Sequence, residues 1–276
     1  MEKEINIRDL QLAELEILKE FIRVCKELNL KYFLDSGTLL GCVRHGGFIP
    51  WDDDIDVSMP REDYEILLEK GQDILNKKYF LQTYKTEFEY TNTFAKIRNS
   101  ETTFIESTVQ NLNINHGVYI DIFPFDGYNS KDKIHNIRFK VISILHKIYF
   151  SSRYVLRNPE RLKIKIMKIL QKVLNIVYRN KSNQDLLEKE NNIAKKYKYE
   201  KSKYVCCYSF NTPSPSKHYI LREDFGERNN KKIWRNWSSG TIKLWCIFNK
   251  IIWRLYEITT RGKKNSSPLQ WRSRFE

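Results

Sequence analysis

Residues 47–60 read GFIPWDDDIDVSMP and place Asp52, Asp53, Asp54 and Asp56 within five positions, with no lysine or arginine among them. Carboxylates crowded like this repel and raise one another's pKa unless a cation lies between them. On a strand, Asp54 and Asp56 share one face while Ile55 and Val57 turn toward a core. Two carboxylates aimed at one point suit a hard cation, because Mg2+ typically takes one or two carboxylates together with substrate phosphates. The cluster therefore predicts a metal-nucleotide site. An EF-hand loop matches the first three acids, but Val57 stands where that loop needs glycine and Asp63 where it needs a bidentate glutamate. A solvated acidic turn is the bland alternative, and the apolar Ile55 and Val57 count against it.

A third acid comes from GVYIDIFPFD, where Asp121 is flanked by Ile120 and Ile122. A lone carboxylate in so apolar a strand is costly unless paired or liganded, so Asp121 is expected to join Asp54 and Asp56 from a neighbouring strand. Asp126 lies just beyond and carries less weight. Upstream, SGTLLG puts small residues at a strand-to-helix turn, where the free N–H groups of a helix start can hold phosphate oxygens.

These groups need elements to position them. Apolar residues at Ile7, Leu10, Leu15, Leu18, Ile22 and Leu28 follow a helical period, so residues 7–29 read as a surface helix packed on a core. KYFLD reads as a short strand, and SGTLLGCVRHGG as a short helix capped by Ser36 and closed by two glycines. DIDVSM alternates as a half-buried strand, and Pro60 ends it before the helix REDYEILLEKGQDIL. YFLQTY, TFAKIRN, TTFIES and GVYIDIFPF add strands. The order predicts an α/β (α+β) fold, a small mixed sheet flanked by helices. From His135 to about Tyr199 the pattern turns helical. There, Leu162, Ile166, Ile169, Leu170, Val173 and Val177 make one apolar face among lysines, which suits either a helix packed on the domain or an interfacial helix on an anionic leaflet.

The chain has 276 residues, 41% of them apolar, enough for a real core. Its apolar stretches fall short of the roughly 20 residues a bilayer span needs, and the charged amphipathic start is no signal peptide, so a cytoplasmic location is expected. Five cysteines form no C-x-x-C pair and no zinc spacing, which points to buried thiols. The net charge of +14 is lopsided: residues 228–276 hold twelve Lys/Arg against two Glu, and five of the six tryptophans.

A G-T turn, then D-x-D in a strand, then a later apolar-Asp-apolar strand resembles the DNA polymerase beta-like nucleotidyltransferase superfamily. The extended run GTLLGCVRHGGFIPWDDDIDVSM, followed in order by FAKIRN and YIDIFPFD, resembles the LicD family more specifically, over roughly residues 10–227. That resemblance implies a phosphotransferase that moves phosphocholine or a related phospho-alcohol from a CDP-activated donor to a sugar of a surface glycan, on an acceptor that is lipid-linked. It implies Mg2+ (or Mn2+) held by Asp54, Asp56 and Asp121 on the donor diphosphate, with Gly37 and Thr38 at the phosphates. Arg44, Lys96 and Arg98 are suitable cations for charge that develops during transfer, or else pair with surface acids. Trp51 is expected to pack beside the acidic turn, and His45 is either a base or structural. Peripheral contact with the inner face of the membrane is implied, and no nucleic acid.

LicD-like chains continue with a segment resembling Y…YL…YGDY…PP, which residues 228–276 lack. Yet Ile252–Tyr256 can be encoded ATA TGG AGA TTA TAT, which read one nucleotide later spells YGDY and continues as MKLPPEEKR. TIKLWCIF likewise permits PSNYGVYL. A frameshift is therefore expected between Gly226 and Ile233, where NNKK implies an A-rich tract, dividing the chain into a catalytic domain, 1–227, and an anomalous basic tail, 228–276. Three other readings stay open: a nucleotidyltransferase attaching NMP to a small molecule, a non-catalytic basic protein binding nucleic acid or membrane, and an inactive copy.

Overall fold

The computed structural model describes residues 6–150, 183–209, 219–225 and 270–272. The interfacial helix expected over residues 162–177 lies outside them, as does the tail apart from residues 270–272.

The first helix, α1 (Ile7–Glu27), is capped by the Asn6 side chain, which accepts from the Arg8 amide. It buries Leu10, Ile17, Leu18, Phe21 and Val24. After β1 (Phe33–Leu34) comes α2 (Ser36–His45). Its cap is Asp35 rather than the expected Ser36: the Asp35 carboxylate accepts from the Ser36 amide at 2.7 Å, and Ser36 takes a positive φ of 46° as the first helical residue. Gly46, at φ 66°, closes the helix in the left-handed conformation that glycine tolerates best. Next come β2 (Asp56–Pro60), α3 (Arg61–Ile74), β3 (Tyr79–Gln82), β4 (Ala95–Asn99), β5 (Thr103–Ile105) and the long β6 (Val118–Tyr128). The helix α4 (Lys133–Phe150), the helix α5 (Asn183–Ala194), and strands β7 (Tyr204–Cys207), β8 (Ile220–Leu221) and β9 (Gln270–Arg272) complete the described α-helices and strands. The mixed α/β architecture agrees with the sequence pattern.

Among the described residues the main sheet has seven strands, in the order β1-β2-β6-β4-β3, with β7 and β8 continuing from β6. β6 is its axis. It runs parallel to β2 along one edge, while its other edge pairs antiparallel with β4 over Val118–Ile122 and with β7 over Phe125–Tyr128. A separate parallel ladder joins β5 to β9. The largest core joins α1 and α3 to the sheet through Phe21, Val24, Leu67, Ile55, Val57, Ile97 and Ile120. A second core gathers Phe139, Phe150, Leu186 and Leu187 from α4 and α5. Among the described residues the cysteines Cys25, Cys42, Cys206 and Cys207 are buried and form no disulfide, and no helix is long and apolar enough to cross a membrane.

Candidate active site

β2 and β6 carry the acids as the alternation requires. Ile55 and Val57 are buried at 1% and 0% exposure, leaving Asp54 and Asp56 on the other face. In the parallel ladder, Asp56 stands opposite Asp121, and across the antiparallel ladder Asp121 stands opposite Lys96. Lys96, Asp121 and Asp56 thus form one row across three strands, and Lys96 Nζ lies 3.0 Å from Asp121 Oδ1. Asp54 precedes β2, in the loop that leads into it.

The loop is clamped from two sides. From α1, the buried Gln11 amide donates to the carbonyls of Ile49 (3.2 Å) and Asp52 (2.9 Å). From α2, Thr38 Oγ1 accepts the Asp56 amide at 2.8 Å. Glycines permit the approach. A Cβ on Gly37 would lie 2.8 Å from Asp52 Oδ2, and one on Gly41 would meet the backbone of Gly47 and Ile49 at 2.6 and 2.7 Å. Gly37 and Thr38, expected at the phosphates, are therefore seen here holding the acidic loop and strand against the start of α2.

Oxygens of Asp52, Asp53 and Asp54 lie within 4.8 Å of one another. Among the described residues this is the set of three acids that gathers so closely, so the expected ligands are distributed: Asp54 belongs to the loop trio, while Asp56 and Asp121 face each other on the strands beside it. Burial, then Asp121 and the neighbouring aspartates, push Asp54 up to about 6. Burial, then Asp54 and Asp121, push Asp56 up to about 8. Burial also raises Asp121, against the opposing pull of Lys96.

The donor set fits a hard cation. It is all oxygen, and a cation bound octahedrally at about 2.1 Å needs ligand oxygens roughly 3 to 4 Å apart. Asp52 Oδ2 is buried without a hydrogen-bond partner among the described residues, and so is Glu14 Oε2. Glu14, 1% exposed on α1 one turn beyond Gln11, escaped the sequence reading; burial and then Asp54, Asp53, Asp121 and Asp52 push its carboxyl well up.

The expected cations divide. Lys96 is buried among acids, 3.5 Å from Glu106 as well as 3.0 Å from Asp121, with its ammonium 3.3 Å from the Tyr119 ring centroid. Arg98, 1% exposed, donates to Gln82 (2.6 Å), the Gly117 carbonyl (2.7 Å) and Glu106 (3.1 Å). Burial would raise Glu106, but Lys96 and Arg98 hold it down at about 2. Arg44 and His45 are exposed on the last turn of α2. Trp51, expected to pack beside the acidic turn, lies beside it but stays open to solvent. It is 75% exposed on the Ile49–Asp52 turn, next to the trio. Asp126 faces away from Asp121, five residues on along an alternating strand, and is bound by Arg61 through Nε (2.7 Å) and Nη2 (2.6 Å).

Aspartates converging from a loop and two adjacent strands of a mixed sheet define a carboxylate-lined α/β domain. Residues 29–159 match the family described as LicD/FKTN/FKRP, nucleotidyltransferase domain. The lipopolysaccharide cholinephosphotransferase LicD of Haemophilus influenzae is 35% identical over 133 residues, 48% of this chain and 49% of that protein. Uncharacterized protein RP689 of Rickettsia prowazekii is 30% identical over 110 residues, 33% of this chain and 41% of that protein. The ribitol 5-phosphate transferase FKRP of Mus musculus is 25% identical over 124 residues, 42% of this chain and 22% of that protein. The matched segment, just under half of the chain, is thus similar to the LicD nucleotidyltransferase domain. The chain spans about half the length, or less, of these curated relatives.

Proposed function

We propose that the domain transfers a phospho-alcohol, such as phosphocholine or a polyol phosphate, from a CDP-activated donor to a sugar hydroxyl of a lipid-linked surface glycan on the cytoplasmic side. The observation that carries this reading is the register pairing of Asp56 with Asp121 beside the Asp52–Asp54 trio. The similarity to the cholinephosphotransferase LicD and the ribitol 5-phosphate transferase FKRP, both transferases of phosphorylated alcohols, supports it.

A bound Mg2+ or Mn2+, held by Asp54, Asp56 and Asp121 with the loop acids beside them, would supply charge neutralisation for the donor diphosphate. In the transfer, the sugar oxygen forms a bond to the phosphorus that bears the alcohol, the bond from that phosphorus to CMP breaks, and CMP leaves with the electron pair. A site aspartate accepts the hydroxyl proton. Gln11, Thr38 and Gly37 keep the acids in position. Lys96 orients Asp121, and Arg98 holds Glu106 as part of the scaffold. Trp51, exposed beside the acids, offers a face on which the cytosine ring or a quaternary ammonium can stack.

Products test the reading. Incubated with Mg2+, a CDP-alcohol and glycan, the protein is expected to release CMP. Pyrophosphate released from an NTP would instead establish a nucleotidyltransferase and overturn the proposal.

A further inference from the structure

α4 is apolar on two opposite faces. Phe139, Ile142 and Phe150 point into the second core, with His135, Ser143 and His146 buried along the same side. On the other side Ile134, Ile137, Val141 and Ile144 are 67%, 61%, 52% and 40% exposed. Their spacing of three, four and three residues makes a continuous stripe at the helical period. Single exposed isoleucines are ordinary, but a contiguous apolar strip marks a contact surface. The helix contains no Asp or Glu. Lys133 and Lys140 are exposed along one flank of the stripe and Arg138 along the other.

We propose that this face of α4 lies on the anionic leaflet of a lipid bilayer, with the isoleucines and valine in the interface and the basic flanks on lipid phosphates. Charge selects this occupant. The chain that follows, residues 151–182, carries nine Lys/Arg against one Glu, so positive charge accumulates along the sequence next to α4 and complements an anionic surface. Like charge disfavours α4 of a second copy as the occupant. Nucleic acid would satisfy the lysines but leave the four apolar side chains in water. A helix with a basic flank and an apolar strip, in a set of described helices none of which can span a membrane, suits docking in the interface plane.

This deepens the reading of a lipid-linked acceptor and rests on it for its biological sense, but binding is measured without turnover and fails separately from the CMP assay. The full chain is mixed with sedimentable vesicles of phosphatidylcholine alone or of equimolar phosphatidylcholine and phosphatidylglycerol. Co-sedimentation is expected only with the anionic vesicles, weakening as salt rises. The double variant Ile137→Glu/Val141→Glu is expected to lower partitioning about tenfold or more while keeping the wild-type melting temperature, since both positions are exposed. Lys133→Glu/Lys140→Glu should weaken it in the same direction. Equal binding to neutral vesicles, or full binding by the folded Ile137→Glu/Val141→Glu variant, would overturn the proposal. So would a switch from dimer to monomer in that variant with no vesicle binding by either form.

Discussion

Asp56 and Asp121 are direct partners in the parallel β2–β6 ladder, so two carboxylates share one row of the sheet, with Lys96 neutralising only the far side of Asp121. Burial and mutual repulsion push Asp54 up to about 6 and Asp56 up to about 8. Acids whose pKa is raised by folding contribute their full stability below the unfolded value of about 4, and that stability is lost as pH rises through the folded values. Without a divalent cation, the melting temperature is therefore expected to fall between about pH 5 and pH 8. Added Mg2+ or Mn2+ should restore more stability at pH 8 than at pH 5. Thermal melts across pH, with EDTA or with metal, check this; a metal increment independent of pH would contradict it.

Two glycines separate stability from site geometry. Gly41→Ala drives a Cβ into the backbone of Gly47 and Ile49, and is expected to destabilise the fold by about 1–3 kcal/mol. Gly37→Ala meets a side-chain oxygen of Asp52 instead, which can move. That variant should melt close to wild type yet bind Mn2+ more weakly, as isothermal calorimetry would show.

Arg61 and Asp126 form a buried ion pair away from the aspartate row, and Arg61 also reaches Asn191 of α5 at 2.9 Å. Removing one partner leaves the other charge buried and unpaired. Arg61→Met is expected to cost about 3–5 kcal/mol in denaturant unfolding. Mn2+ affinity of the folded fraction should be unchanged.

Much of the site could be read locally. The Asp-Ile-Asp-Val alternation names its own buried face, and Ile120-Asp121-Ile122 announces an acid that needs a partner. The clamps could not be read this way. Gln11 reaches Asp52 over 41 positions and Arg61 reaches Asp126 over 65, and no local window shows such partners. Glu14 looks like an ordinary polar residue of an amphipathic helix until the acid loop is folded over it. Trp51 went the other way: an aromatic beside charges suggested packing, but the tight Ile49–Asp52 turn projects it outward.

The basic tail gives a prediction about the gene. If residues 228–276 come from a misread frame, the source DNA across codons 226–235 differs by one nucleotide from the sequence that encodes the present tail. Resequencing that stretch should find the difference. A confirmed read with an unchanged frame would place the shift in the gene itself, and a chain rebuilt with the alternative tail is then expected to melt higher than the present one.

The central claim is that the aspartate row works with a divalent cation to transfer a phospho-alcohol. Its most direct test is CMP release from a CDP-alcohol by the wild type and by Asp56→Asn, with Mg2+ and with EDTA. Wild-type release that needs Mg2+ and falls by about 100-fold or more in the folded variant is the expected result. Release that continues in EDTA, or an Asp56→Asn variant that keeps the wild-type rate, would contradict the account.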